Sequence, residues 1–404
     1  MTAPDRGSHR SALTPPAFPS VLAQPLISSP PAVARPVVPQ QQVAPVPRRA
    51  WGLYLWLGGL LVLVGVVLVG YFLRAIGPGA SILGMVLALL PLIGVLLALR
   101  LVDRWEPEPR GLILIALGWG AIVSVAIALG VDLLIVLAVG RSGTPAGEFL
   151  QTVVQAPVVE EVAKGLGVLL IFAGARRWFD GPVDGIVYGG LIGAGFAFTE
   201  NIQYFALAWI EGGAELTSAT FFIRGILSPF AHVMFTAVTG FALGLAARRG
   251  ASFRGVLGPW LLGLAGAIVL HAFWNGSALL GDFLGLYTAL QIPLFLVFIG
   301  GVLMLRREEA RLTRARLGEY AAAGWFTPQE VEMLATPSGR RAGLAWARTL
   351  RGDRVGIMRS FIADATALAA ARQRVLVGRD RTGGAEERLL LERTAAARAA
   401  LLAV

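Results

Sequence analysis

Eight apolar runs follow one another between residues 51 and 305, near 51–73, 80–102, 111–139, 148–172, 184–209, 220–246, 256–280 and 284–305. Each is long enough to cross a hydrocarbon layer of roughly 30 Å. The pattern predicts an all-α fold, a polytopic transmembrane bundle of about eight spans. A hydrophobic content of 56%, a charged content of 15% and a mean hydropathy of +0.69 agree with it. Arginines mark every second connection: Arg48 and Arg49, Arg100 with Arg104 and Arg110, Arg176 and Arg177, Arg248 with Arg249 and Arg254, and Arg306 with Arg307. The other connections (74–79, 140–147, 210–219 and 281–283) carry few basic residues. By the positive-inside rule, the expectation is a multi-pass cell-membrane protein with both termini cytoplasmic. The net charge of +10 then reads as topology and contact with an anionic bilayer surface, not as nucleic-acid binding. The absence of cysteine excludes disulfides, thiol nucleophiles and Cys-ligated metals.

Outside the runs, residues 1–49 hold 11 of the 23 prolines and no compact apolar segment. A disordered head without a signal peptide is expected there. Residues 307–404 have mixed charge and predict a small cytosolic helical region. Its helices are expected over Arg306–Ala323 and near 340–376 and 385–402, with Thr327-Pro328-Gln329-Glu330 as a capping box carrying Pro at the first helical position. The domain reading is therefore 1–49, 50–306 and 307–404.

Few strongly polar residues remain inside the runs. The fourth holds Glu160, Glu161 and Lys164, the fifth Glu200 and Asn201, the sixth His232 and Thr236, and the seventh His271 and Asn275. Such groups cost a few kcal/mol each in a bilayer and persist where they are paired, line a polar cavity or carry chemistry. A buried ion pair between Glu160 and Lys164, four residues apart on one helix face, accounts for two of them and leaves Glu161 unexplained. Depth argues for more than a pair. Glu160, Glu200, His232 and His271 each lie about ten to twelve residues from the expected outer end of their run, roughly 15–18 Å down at 1.5 Å per residue. Four helices thus bring ionisable groups to one level, as a site requires. Lys164, Thr236 and Asn275 follow Glu160, His232 and His271 by four residues and share their faces. Glycines at helical spacing in the fifth run, Gly185, Gly189 and Gly193, read as close helix packing.

The chemistry that such a set allows is hydrolysis. A carboxylate can take a proton from water, histidines with a carboxylate can bind zinc, and Asn or Lys can stabilise an oxyanion. No HExxH is present. Glu160-Glu-Val-Ala-Lys164, Phe196-xxx-Glu200-Asn201, the lone His232 and His271-xx-Trp274-Asn275 together resemble the four motifs of the PrsW-type intramembrane proteases. That family is related to the CAAX prenyl-protease and bacteriocin-processing superfamily. Asp103-Arg-Trp-Glu-Pro-Glu-Pro109 and Asp184-Gly185 are similar to further family pieces, and the resemblance covers about residues 50–310. In the CAAX branch a histidine stands where Glu200 stands here.

The resemblance implies cleavage of peptide bonds in membrane-anchored protein substrates. On that reading Glu160 or Glu161 is the general base. Glu200, His232 and His271 are the expected zinc ligands, supported by Lys164, Asn201 and Asn275. A metal-free form, in which a glutamate activates water, uses the same residues. Two other classes compete. A proton- or ion-coupled transporter also uses midplane carboxylates, but the runs show no evident inverted repeat. A bis-His haem protein would use His232 and His271 and leave the glutamate pair idle.

Overall fold

The computed structural model describes residues 48–141, 143–279, 282–378 and 383–403, so the expected disordered head falls outside it except for Arg48 and Arg49. Among the described residues the chain is all-α, with no strand. It divides into two compact units, Trp51–Leu305 and the residues from Arg306 on.

In the first unit α1 spans Arg48–Ala75 and α2 spans Pro78–Val102. α3 (Arg110–Gly118) passes through a π-helical segment, Trp119–Ser124, into α4 (Val125–Val139). α5 (Pro145–Leu150) likewise passes through Gln151–Gln155 into α6 (Ala156–Gly174). Then come α7 (Pro182–Phe221), α8 (Ala231–Arg248), α9 (Phe253–Leu279), α10 (Phe283–Leu286) and α11 (Ile292–Ala322).

Among the described residues six helices are long and apolar enough to cross a membrane, against eight expected runs. The two counts differ for local reasons. The fourth run is the continuous helix Pro145–Gly174, whose apolar character Glu160, Glu161 and Lys164 interrupt. The fifth and sixth runs join, because the expected loop 210–219 is helical except at Gly213. A φ of 58° there is open to glycine and breaks the helix. π-helical turn Phe222–Leu227 then leads into the short link before α8.

Helix starts follow the sequence chemistry. Thr144 accepts from the Gly147 N–H at 3.2 Å, with Pro145 at the first helical position of α5. The Asp184 carboxylate accepts the N–H groups of Asp180 and Gly181 at 2.9 and 2.8 Å, which anchors the start of α7.

α7 is the hub, with most of its first two-thirds buried. It meets α8 along a ladder of backbone-to-backbone contacts. A Cβ on Gly185 would lie 2.0 Å from the Gly240 carbonyl oxygen, and one on Gly240 would lie 1.9 Å from that of Gly185. Gly244 faces Gly181 O at 2.3 Å, Gly189 faces Thr236 O at 2.6 Å, and Gly193 faces His232 O at 2.3 Å by the same measure. The rungs pair 181 with 244, 185 with 240, 189 with 236 and 193 with 232, so the helices run antiparallel in one register. Small residues permit that approach, as the glycine spacing suggested. Gly120 against Ile192 O and Gly84 against Ile202 O bring α3–α4 and α2 equally close to α7.

Gly193→Ala and Gly185→Ala are each expected to lower the thermal midpoint by a similar amount, overpacking costing about 1–3 kcal/mol. Only Gly193→Ala pushes on the backbone of His232. Its residual activity should therefore fall well below that of Gly185→Ala when both are compared below their melting ranges.

In the second unit the capping box forms as expected. Thr327 N–H donates to Glu330 Oε2 at 2.7 Å, Glu330 N–H to Thr327 Oγ1 at 3.1 Å, and Pro328 opens α12 (Pro328–Leu334). The expected helix 340–376 is divided into α13 (Pro337–Thr349) and α14 (Arg354–Leu376), with Gly352 at a φ of 83° between them. α15 covers Gly383–Leu402. A core of Leu317, Tyr320, Phe361, Leu368 and Leu391 holds this unit together. Arg398 pairs with Glu330 at 2.6 Å inside it.

Candidate active site

α6, α7, α8 and α9 bring the polar groups of four runs into one cluster. Lys164 is its centre and is fully buried. Its Nζ lies 2.6 Å from Glu161 Oε1, 3.4 Å from Glu160 Oε2 and 3.1 Å from His232 Nδ1, and 4.0 Å from the centroid of the Phe196 ring.

The two glutamates differ in surroundings. Glu161 is enclosed on every side. Its Oε1 meets Lys164 and, at 3.0 Å, His271 Nδ1, while its Oε2 accepts from Thr236 Oγ1 at 3.0 Å. Glu160, a quarter turn away, keeps 13% of its side chain exposed. It borders a cavity of about 370 Å³ that Glu200, Tyr204, Gln203, Asp132, Gln151 and Gln155 also line. A water that reaches the cluster through this cavity meets Glu160 or Glu200, not Glu161.

The histidines are fixed in matching ways. Lys164 has no acceptor lone pair, so it donates to His232 Nδ1, and His232 then carries its proton on Nε2, 2.9 Å from Glu200 Oε2. His271 donates from Nδ1 to Glu161 Oε1 at 3.0 Å, and its Nε2 lies 3.9 Å from Glu160 Oε2. Each imidazole is thus held at one nitrogen by a carboxylate; His232 turns its other nitrogen to Lys164, and His271 turns its own toward Glu160. The rings sit 4.9 Å apart at 89°, and Phe235 stacks on His271 at 4.8 Å.

Glu160, His232 and His271 each present a ligand atom within 4.8 Å of the others. Two imidazoles and a carboxylate are the right kind and number of donors for a zinc site with one open position. The expected trio had Glu200 in place of Glu160. Glu200 instead lies behind His232, where the Arg224 guanidinium also holds it.

Asn201 and Asn275 were expected beside the reacting groups. Asn201 Oδ1 accepts from Arg224 Nε at 2.8 Å. Asn275 Nδ2 donates to the Thr152 carbonyl at 2.9 Å and ties α9 to the π-helical turn before α6. Both position backbone or a neighbour, and neither is among the residues lining the cavity.

Two participants were missed. Arg224, on the π-helical turn Phe222–Leu227, pairs with Glu200 and lies 3.8 Å over the Tyr204 ring. Asp132 on α4 accepts from Gln151 and Gln155 at 3.0 and 3.4 Å across the cavity. Both had a signal: a charged residue inside an otherwise apolar run, and for Arg224 one on the side that the arginine pattern leaves nearly free of basic residues.

Residues 108–300 match the family model described as PrsW family intramembrane metalloprotease. The chain is similar to Protease PrsW of Geobacillus kaustophilus (strain HTA426), 29% identical over 144 residues, which cover 36% of this chain and 58% of that protein. It is also similar to Protease PrsW of Bacillus subtilis (strain 168), 29% identical over 156 residues, 39% of this chain and 65% of that protein. The chain thus spans less than two-thirds of the length of the curated relatives it matches. No solved structure matches it. By sequence, the region that carries every member of the cluster is similar to the PrsW-type proteases.

Proposed function

We propose that the protein hydrolyses peptide bonds of membrane-anchored proteins, membrane-tethered regulators among them, with a water activated at Glu160. The observation that carries this reading is the placement of Glu160. Among the three acidic residues of the cluster, it alone both borders the cavity and belongs to the convergent trio with His232 and His271. The water oxygen adds to the scissile carbonyl carbon as its proton passes to the Glu160 carboxylate, and that proton then goes to the departing amine as the C–N bond breaks. Lys164 Nζ, 3.4 Å from Glu160, 2.6 Å from Glu161 and 3.1 Å from His232 Nδ1, holds these three groups together from behind the cavity. Glu161 and Glu200 hold the two imidazoles in place.

The convergence of three donors favours a zinc-assisted form of the hydrolysis, in which Glu160 would be a ligand and Glu200, the other carboxylate of the cluster that borders the cavity, would take the proton. Glu160, His232 and His271 would hold the metal, which would supply Lewis-acid polarisation of the carbonyl and of the water. Three carboxylates around two cationic side chains, Lys164 and Arg224, suit the addition of a dication. The zinc-assisted form predicts near-stoichiometric zinc on purified protein by elemental analysis, lost in His271→Ala with the fold retained. Full activity after exhaustive chelation, with no metal detected, leaves the glutamate-only form.

The test of the function itself is cleavage of candidate membrane-tethered regulators by reconstituted protein. Proton flux without cleavage would indicate a transporter, and a Soret band a haem protein.

A further inference from the structure

The segment Asp103–Pro109, singled out in the sequence, takes no part in the cluster above. It borders a second cavity, of about 860 Å³, formed by α2, α3 and α7 at the arginine-rich end of the membrane unit. Its walls are Leu96, Leu97, Leu99, Ile113, Val187 and Leu191. From Leu96 to Asp103, seven residues further on, the cavity follows α2 and its C-cap, about 10 Å at the helical rise. One end is thus as apolar as the membrane interior, and the other lies at the level where headgroups sit.

The polar end is lined by Arg100, Arg104 and Arg110. Among the described residues none of the three has an ion-pair partner. The acidic groups there do not cancel them. Glu108 is buried and receives the Tyr188 hydroxyl at 2.5 Å. Burial first, and then the nearby Asp184, push its carboxyl up to about 11, so it is uncharged at neutral pH. The Asp103 oxygens are turned to the Glu108 N–H at 3.1 and 3.2 Å. Among the residues that line the cavity, three guanidiniums therefore face one carboxylate, that of Asp103, at the mouth of an apolar slot, with Glu106 and Asp184 near Glu108 but outside the lining. A loop that only obeyed the positive-inside rule would need the arginines, not the slot.

We propose that this cavity binds an anionic phospholipid, its phosphate among Arg100, Arg104 and Arg110 and the first part of its chains against the leucine-lined wall. Arginine suits phosphate by its planar fork of donors, and basic pockets between membrane helices are headgroup sites. Retention of lipid on Asp103–Pro109 would also brace the Glu108–Tyr188 contact to α7, the helix that carries Glu200.

The test uses full-length protein in nanodiscs of mixed phosphatidylglycerol and phosphatidylcholine, with retained lipid counted by native mass spectrometry after extraction into detergent. Wild type should keep phosphatidylglycerol in clear preference to phosphatidylcholine. Each arginine contributes about fivefold, so Arg100→Gln/Arg104→Gln/Arg110→Gln should lower that retention by roughly 100-fold. Arg177→Gln/Arg249→Gln/Arg254→Gln, which removes three arginines from other connections, should leave it unchanged. Equal retention of the two lipids, an equal loss in both triple variants, or displacement by millimolar glycerol 3-phosphate would each overturn the proposal. The last outcome would show that the site takes a free phosphate.

Discussion

Glu160→Gln is expected to abolish turnover, with a fall of roughly 10²–10⁴ for the loss of a proton-accepting carboxylate and an intact fold. The amide fills the same volume, can still accept from Lys164, and occupies the one position in the acidic pair that opens to the cavity. Burial changes little, so the thermal midpoint in detergent should stay near that of wild type. The measurement is single-turnover cleavage of a membrane-tethered substrate, run beside the melting curve. Activity within tenfold of wild type would remove Glu160 from the chemistry. A folded but inactive variant would support it. Metal content adds a second readout, because the zinc-assisted form makes Glu160 a ligand and predicts weaker zinc retention in the same variant.

Glu161→Ala should have the opposite profile and show first as lost stability. Removing one partner of a buried charge pair costs about 3–5 kcal/mol, because the remaining charge is left without compensation in a dry interior. Here Lys164 loses its shortest contact, Thr236 its acceptor and His271 the carboxylate that fixes its tautomer, all from one side chain with no exposed surface. Detergent-solubilised variant should melt far below wild type. Glu161→Gln, which keeps an acceptor for Thr236, should recover part of that loss. A wild-type melting curve for Glu161→Ala would mean that the three contacts do not hold the cluster together.

Much of this architecture could be read along the chain because membrane segments announce themselves in one dimension. Helical periodicity gave rise and therefore depth, and the levels of Glu160, Glu200, His232 and His271 follow from counting residues. Depth does not give rotation about the helix axis. Glu160 and Glu200 stand at one level, and nothing in their spacing shows which of them turns toward the centre of the cluster and which sits behind His232. For the same reason Asn275, level with the site, is spent on the Thr152 carbonyl instead. Hydropathy alone puts Arg224 inside a membrane span that starts at residue 220. In the structure a π-helical turn and a short link precede α8, and that irregular backbone delivers the guanidinium to Glu200. Irregular turns of this kind tend to mark functional sites, but their position depends on packing that a single sequence does not display. The glycine spacing of α7 was visible from the start, whereas its partners on α8 could be matched only once the two helices were side by side.

The contacts between Gly181 and Gly244, Gly185 and Gly240, Gly189 and Thr236, and Gly193 and His232 also determine where this protein can change in length. One residue inserted anywhere between positions 181 and 193, or between 232 and 244, rotates every later position by about 100° and turns side chains into spaces that admit only backbone. Relatives with longer or shorter versions of this hairpin should therefore differ between the end of the α7 cluster contacts and Arg224, around Gly213, where the helix is already broken. The two arms are tied to each other by geometry, and the bend is left to vary.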